Sequence, residues 1–178
     1  MRISLLIRIN LEYYFYKSKI LKKYRVDEFD KRILACLQKD ASLPLAEIAE
    51  RVGLSSTPCW RRIQNLEKAG VIDGRVALLD PAKLNVGVTV FVALKTSEHS
   101  QDWLETLASH VDSIDEVVEF YRMSGDVDYM LRVVVPDIAA YDEVYKRLIA
   151  VGGLSDVSSS FAMERIKYTT ELPLDYAE

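Results

Sequence analysis

The chain has 178 residues, two cysteines and a formal net charge of −4. That length fits one large or two small domains. Cys36 and Cys59 fall on predicted helix interiors with no ligand-spaced histidines nearby, which excludes a disulfide framework and a zinc site and points to reduced, buried thiols in a cytoplasmic protein.

The acid is unevenly spread. Residues 1–26 sum to +6, residues 27–80 to −1 and residues 81–178 to −9, so the charge objection to a nucleic-acid partner falls on the C-terminal half alone. Residues 1–25 form a basic, aromatic extension. Arg8 interrupts the apolar run Leu5-Leu6-Ile7 and no small-residue cleavage site follows, so the extension is not a secretory signal. It is too short and too charged to span a bilayer, and no membrane partner is expected. Three readings stay open: a start codon placed upstream of the true one, a helix packed on a partner subunit, and an arm lying on DNA phosphates.

Asp27 to Leu37 reads as a helix with Phe29, Ile33, Leu34 and Leu37 on its packing face. Next, Leu45, Ile48, Ala49 and Val52 follow the i, i+3, i+4, i+7 pattern of a second helix, with Pro44 at its start and Gly53 as its stop. Ser55 suits the N-cap of a third helix, and Pro58 falls in its first turn, where no intrahelical donor is lost. On a wheel of about 100° per residue, Cys59, Ile63 and Leu66 share one side. Thr57, Arg61, Gln64, Asn65 and Lys68 take the other, flanked by Trp60 and Arg62, with Ser55 and Ser56 at the opening turn. These side chains bond base edges and phosphates. A plain solvated face has the same composition; two helices joined by a tight turn favour the major-groove reading.

Val71 to Leu79 reads as a short hairpin turning at Asp73-Gly74, a wing from which Arg75 can reach a phosphate or simply be solvated. Together these make a winged helix–turn–helix over residues 26–80. Residues 81–86 read as a linker, 87–174 as a second domain and 175–178 as a tail. In that domain the strand Val88–Leu94 alternates. A helix follows on Trp103, Leu104, Leu107 and Ala108, then strands Val117–Met123 and Tyr129–Val135. A helix on Ile138, Tyr141, Val144, Tyr145 and Leu148 precedes a last strand, Val157–Lys167. The order is βαββαβ, giving an α+β chain with a ferredoxin-like second domain. Its helices cover one face of the sheet, and the simplest cover for the other is a second copy, so a homodimer with two reading heads is expected.

The turn Ser124-Gly125-Asp126-Val127-Asp128 is the candidate pocket. Gly125 permits positive φ and close approach of a ligand; successive N–H groups can receive a carboxylate, and Asp126 or Asp128 an ammonium. Ser159 and Ser160 add hydroxyls from the last strand. A Gly-Asp turn between strands is often no more than a hairpin.

The strings DEFDKRIL, LAEIAERVGLSSTPCWRRIQNLEKAGVIDG, LDPAKLNVG, SGDVDYMLRVVV and SSSFAMERIKYTTELPL occur in the order and spacing of the Lrp/AsnC, or feast/famine, transcription regulators, and the chain resembles that family over residues 26–174. The resemblance implies double-stranded DNA as one partner and an amino-acid effector, sensed by the 87–174 domain, as the other. It also implies dimers that often assemble into octamers, with the effector bound between subunits near Gly125, Asp126, Val127 and Asp128, facing Ser159 and Ser160. Asn65 stands where a basic residue is common, Arg75 replaces a frequent aromatic, and many relatives have threonine in place of Ser159. No cofactor, catalytic residue or metal ligand is implied. Two rivals differ in class. A siroheme-type decarboxylase on the same fold would favour histidines in the sensing cavity, whereas His99 and His110 fall in a loop and near a helix end. A non-specific architectural DNA-binding protein is the other.

Overall fold

The computed structural model describes residues 24–177, so the basic extension falls outside the described residues except for its last two positions. Residues 24–77 with 167–177 form one compact unit, and residues 78–166 form another.

The first unit contains α1 (Glu28–Lys39), α2 (Leu45–Val52) and α3 (Ser56–Lys68). Asp27 caps α1 through a reciprocal box: its Oδ1 accepts from the Asp30 N–H at 2.9 Å, and Asp30 Oδ2 accepts from the Asp27 N–H at 3.2 Å. Gly53, at φ 74°, ends α2 in the left-handed region that favours glycine, and the Leu54 N–H reaches back to the Ala49 carbonyl. The chain can then turn within a few residues into α3. Ile33, Leu34, Ile48, Ala49, Val52, Cys59, Ile63 and Leu66 form the core shared by the three helices. Both cysteines are free thiols; Cys59 is fully buried, and that burial pushes its pKa up, so its neutral form is favoured.

Two expectations change here. Phe29 is not in the core: it is 37% exposed, with the guanidinium carbons of Arg62 and Arg32 at 5.3 and 5.7 Å from its ring centroid. The hairpin expected over Val71–Leu79 is not formed either. Among the described residues 73–80 carry no strand pairing, and Val76, Leu78 and Leu79 are exposed. An isolated two-strand ribbon has little to hold it without a packed face or a third strand.

The second unit has the order β1 (Val88–Thr96), α4 (Gln101–Asp112), β2 (Val117–Arg122), β3 (Tyr129–Val135), α5 (Ile138–Ile149) and β4 (Leu154–Phe161). All neighbours pair antiparallel in the spatial order β2-β3-β1-β4, the ferredoxin-like topology that the hydrophobic periodicity implied. Val90, Val92, Leu94, Leu131, Val133 and Val135 point to the helices and pack on Trp103, Leu104, Leu107, Tyr141, Val144 and Leu148. The alternate residues, Phe91, Ala93, Met130 and Arg132 among them, line the opposite face.

The last strand is shifted from the predicted Val157–Lys167. It starts at Leu154 and stops at Phe161, which pairs with Val90. The Ala162 N–H still donates to the Thr89 carbonyl at 2.9 Å, and the pairing ends there, next to the first residue of β1, Val88. The following chain instead joins the helical unit. The Leu172 N–H donates to Gln38 Oε1 at 2.7 Å, Gln38 Nε2 donates to the Leu172 carbonyl at 3.2 Å, and Leu174 packs against the helical core.

Candidate DNA-reading helix and effector turn

The α3 helix buries Cys59, Ile63 and Leu66, which turns the positions a half-turn away outward. Ser55, Ser56, Thr57, Trp60, Arg61, Asn65 and Lys68 are exposed, with Trp60 at 53%. Among the described residues Arg61 and Lys68 make no ion pair, so both cations are available to an anionic partner. Ser55 is the N-cap by backbone geometry, yet its side chain makes no capping bond and its hydroxyl is not spent on the helix. Gln64 is half-buried and its amide donates to Glu67 Oε2 at 2.8 Å.

Two predicted DNA ligands belong to other networks. Arg62 Nη1 donates to Asp27 Oδ2 at 2.7 Å and to Asp30 Oδ1 at 2.9 Å. Its side chain lies about 100° around the helix from that of Arg61, toward the start of α1. Asp30 is 1% exposed and also accepts from the Tyr24 hydroxyl at 3.2 Å. Partial burial pushes the Asp27 carboxyl up, but the Asp30 N–H and the Arg62 guanidinium more than offset it and hold Asp27 below the usual carboxylate value; Arg62 in turn is raised. The signal in the sequence is two carboxylates at i and i+3 opening a helix, to which the apolar pattern of residues 27–37 assigns no role. Arg75 lies beside α3, paired with Glu67 at 2.9 Å, rather than on a wing.

The candidate effector turn lies between β2 and β3. Gly125 has φ 116°, and a Cβ placed there would meet nothing within 4 Å, so its open side faces free space. Asp126 is exposed and Val127 half-buried. Among the described residues the N–H groups of Gly125, Asp126 and Val127 have no protein acceptor. Asp128 has a different job: its Oδ2 accepts from the Thr96 N–H at 2.8 Å, its own N–H donates to the Leu94 carbonyl at 3.1 Å, and its carbonyl accepts from Met123 N–H at 2.8 Å. It pins the turn to the end of β1, at the irregularity between Lys95 and Thr96. Thr96 extends the pin: it is 6% exposed, and its hydroxyl donates to the Gly153 carbonyl at 2.8 Å. Sequence reasoning missed Thr96, which reads as an ordinary strand residue.

The two serines are not equivalent. Ser159 pairs with Val92 and therefore points to the helix side, where its hydroxyl is hydrogen-bonded to that of Tyr141. Burial raises the Tyr141 phenol, and the bond to Ser159 partly counters it. Ser160 pairs with Phe91 and faces the open side. β4 is two strands from β3, about 10 Å across the sheet. One chain therefore does not bring these serines to the 124–128 turn. The middle of the open face is polar: Arg132 Nε donates to Glu119 Oε1 at 2.8 Å, and the Tyr121 hydroxyl to Glu119 Oε2 at 2.9 Å. Burial alone would raise Glu119, but those two donors hold its carboxyl below the ordinary value. Phe91 and Tyr121 flank this pair, 42% and 52% exposed.

Two family models match the chain: a winged helix–turn–helix DNA-binding domain over residues 26–73, and the Lrp/AsnC ligand binding domain over residues 89–172. The first match ends at the position where the expected wing would turn. The DNA-binding transcriptional activator DecR of Escherichia coli K12 is 51% identical over 151 residues, 84% of this chain and 99% of that protein. The glutamate uptake regulatory protein of Zymomonas mobilis is 50% identical over 150 residues, 84% of this chain and 92% of its own length. Among solved structures, an AsnC family transcriptional regulator from Agrobacterium tumefaciens is 64% identical with a TM-score of 0.82, covering 84% of this chain and 98% of that one. The Neisseria meningitidis regulator NMB0573, solved as a complex with L-methionine, is 36% identical with a TM-score of 0.79, covering 84% and 97%. With a helix–turn–helix that exposes the polar face of α3, a ferredoxin-like ligand-binding domain and relatives at this level of identity, the chain belongs to the Lrp/AsnC family of DNA-binding transcription regulators.

Proposed function

We propose that this regulator reads DNA through Ser55, Ser56, Thr57, Trp60, Arg61, Asn65 and Lys68, and that an amino acid bound at the 124–128 turn controls how the reading heads are held. The observation that carries the reading is the pairing of an exposed, uncommitted cationic face on α3 with an open, glycine-bearing turn that lacks acceptors for three successive N–H groups. Such a turn suits the carboxylate of a free amino acid. A relative at 36% identity carries L-methionine, and others at about this similarity are named leucine-responsive regulatory proteins, which supports an amino acid as the effector class.

The working unit is a two-fold homodimer closed through the open sheet face, with assembly into octamers as the higher state. The exposed Phe91 and Tyr121 give that face apolar area, and the Arg132–Glu119 pair gives it a fixed polar register. In the dimer the turn of one copy meets the sheet face of the other, so Ser160 completes the pocket from across the interface while Ser159 stays with Tyr141. Dimerisation also links two reading heads of modest individual affinity on one DNA. Among the described residues no helix is long and apolar enough to cross a membrane, and the site of action is the cytoplasm, where the DNA is.

A thermal-shift series with the twenty amino acids tests this. One or a few should raise the unfolding temperature, and the same ones should change the affinity for a DNA fragment selected by the wild-type protein. Stabilisation by none, or by compounds that leave DNA binding untouched, contradicts the control mechanism.

A further inference from the structure

We propose that Arg62 is a positioning residue for DNA reading: clamped by Asp27 and Asp30, it fixes the rotation of α3 about its axis and does not itself ligate phosphate. This rests on the reading of Thr57, Arg61 and Lys68 as the DNA face.

Five contacts converge on one guanidinium–carboxylate cluster. Arg62 Nη1 reaches both Asp27 Oδ2 and Asp30 Oδ1, at 2.7 and 2.9 Å. The other Asp30 oxygen accepts from the Asp27 N–H and the Tyr24 hydroxyl, both at 3.2 Å. Phe29 closes the cluster with its ring under the guanidinium. A carboxylate buried as deeply as that of Asp30 is costly without a counter-charge, and Arg62 supplies the counter-charge here. Moving Arg62 to a phosphate would strand that carboxylate, so the arginine is held in the protein.

The consequence for recognition is geometric. Apolar packing through Cys59, Ile63 and Leu66 fixes where α3 lies, but smooth side chains tolerate small rotations about the helix axis. A rotation of about 20° displaces the tip of a long side chain such as Arg61 by roughly 2–3 Å, since the tip lies some 8 Å from the axis, enough to lose a base-edge hydrogen bond. A directional, doubly bonded ion pair from α3 to the first turn of α1 removes that freedom. It acts on the orientation of Thr57, Arg61 and Lys68 without touching DNA.

The test uses the full-length protein, a DNA fragment selected from random sequence by the wild-type protein, and a scrambled fragment, titrated at several salt concentrations. Asp27→Asn is the sharper variant. Asparagine keeps the helix cap and removes one negative charge near the DNA face, so electrostatics alone should tighten binding to both fragments. Positioning gives the opposite sign: the ratio of selected to scrambled affinity should fall about tenfold. Arg62→Gln should lower that ratio at least as much while leaving the slope of log affinity against log salt unchanged. Loss of a phosphate contact would instead reduce the slope by about 0.9. The inference is overturned if Arg62→Gln lowers the slope by that amount with the ratio preserved, or if Asp27→Asn leaves the ratio at or above the wild-type value. Should Arg62→Gln fail to fold, the Asp27→Asn ratio decides alone. Arg61→Ala separates the two readings: if it too leaves selected-DNA affinity unchanged, the DNA face lies elsewhere, whereas a normal loss with Arg61→Ala and no effect of Asp27→Asn sinks only the positioning role.

Discussion

The α3 surface and the open sheet face place polar groups in view by different routes. On α3 a single run of thirteen residues does both jobs: the positions that bury Cys59, Ile63 and Leu66 oblige Thr57, Arg61 and Lys68 to point out, so one chain carries the whole of the proposed reading face. On the sheet, residues adjacent in sequence take opposite sides, as Ser159 and Ser160 do, and residues on the same side belong to strands far apart in the chain. The 124–128 turn and Ser160 are separated by two strands, so an effector pocket using both needs two copies. Under the proposed reading, function that lies along one element is complete in the monomer, and function that lies across a face is a property of the assembly.

The strongest way to break this comparison is to destroy one region and watch the other. Leu66 is fully buried, and Leu66→Ala should destabilise the helical unit by about 2–5 kcal/mol and remove DNA binding, while amino-acid binding measured by calorimetry persists. Loss of both together would mean the sites are not separately built. Arg61→Ala is the next effect in size: it should weaken binding to selected DNA by about 1–3 kcal/mol with an unchanged denaturation midpoint. An unaltered affinity would move the reading face off α3.

Asp128→Asn keeps a neutral acceptor for the Thr96 N–H and should cost roughly 0.5–1.5 kcal/mol of stability, with a weakened amino-acid response and an unchanged dimer in sedimentation. Normal stability with a full response would remove Asp128 from the account of the turn. The smallest effect is in acid. Asp27 and Glu119 both have carboxyls held below their ordinary values of 3.8 and 4.5. Groups lowered by folding stabilise above those values, and the contribution is lost as pH falls through the depressed ones. Urea unfolding between pH 6 and pH 3 should therefore show stability falling mainly below about pH 4. In Arg62→Gln the Asp27 share of that fall should shrink, with the part owed to the Asp30 N–H remaining.

Much of the fold was legible because it rests on periodicity. The helices and strands follow the 3.6- and 2-residue patterns, and Gly53 and Pro58 mark their joints. The exposed face of α3 was legible for the same reason. What escaped depends on partners distant in sequence. Arg62 looks like a second DNA cation until Asp27 and Asp30, more than thirty residues earlier, are placed beside it. Ser159 looks equivalent to Ser160 until strand register sends it to Tyr141. The end of β4 was misplaced because the pattern continues to Lys167 while the chain after Ala162 leaves the sheet and goes on to bond Gln38 of α1 through Leu172. The Asp73-Gly74 turn was chemically sound, but its arms have nothing here to pack on.

The central claim, that reading is complete in one chain whereas sensing is shared between two, has a direct test in mixed dimers. Gly125→Val forces a branched side chain into a positive-φ turn and should abolish amino-acid binding; Ser160→Phe should block the same pocket from the opposite copy. Each variant alone is expected to bind no effector by calorimetry while binding DNA normally. Mixed and allowed to exchange subunits, they should recover binding, with one intact pocket in each mixed dimer. No recovery after demonstrated exchange would place the whole effector site within a single chain and contradict the account.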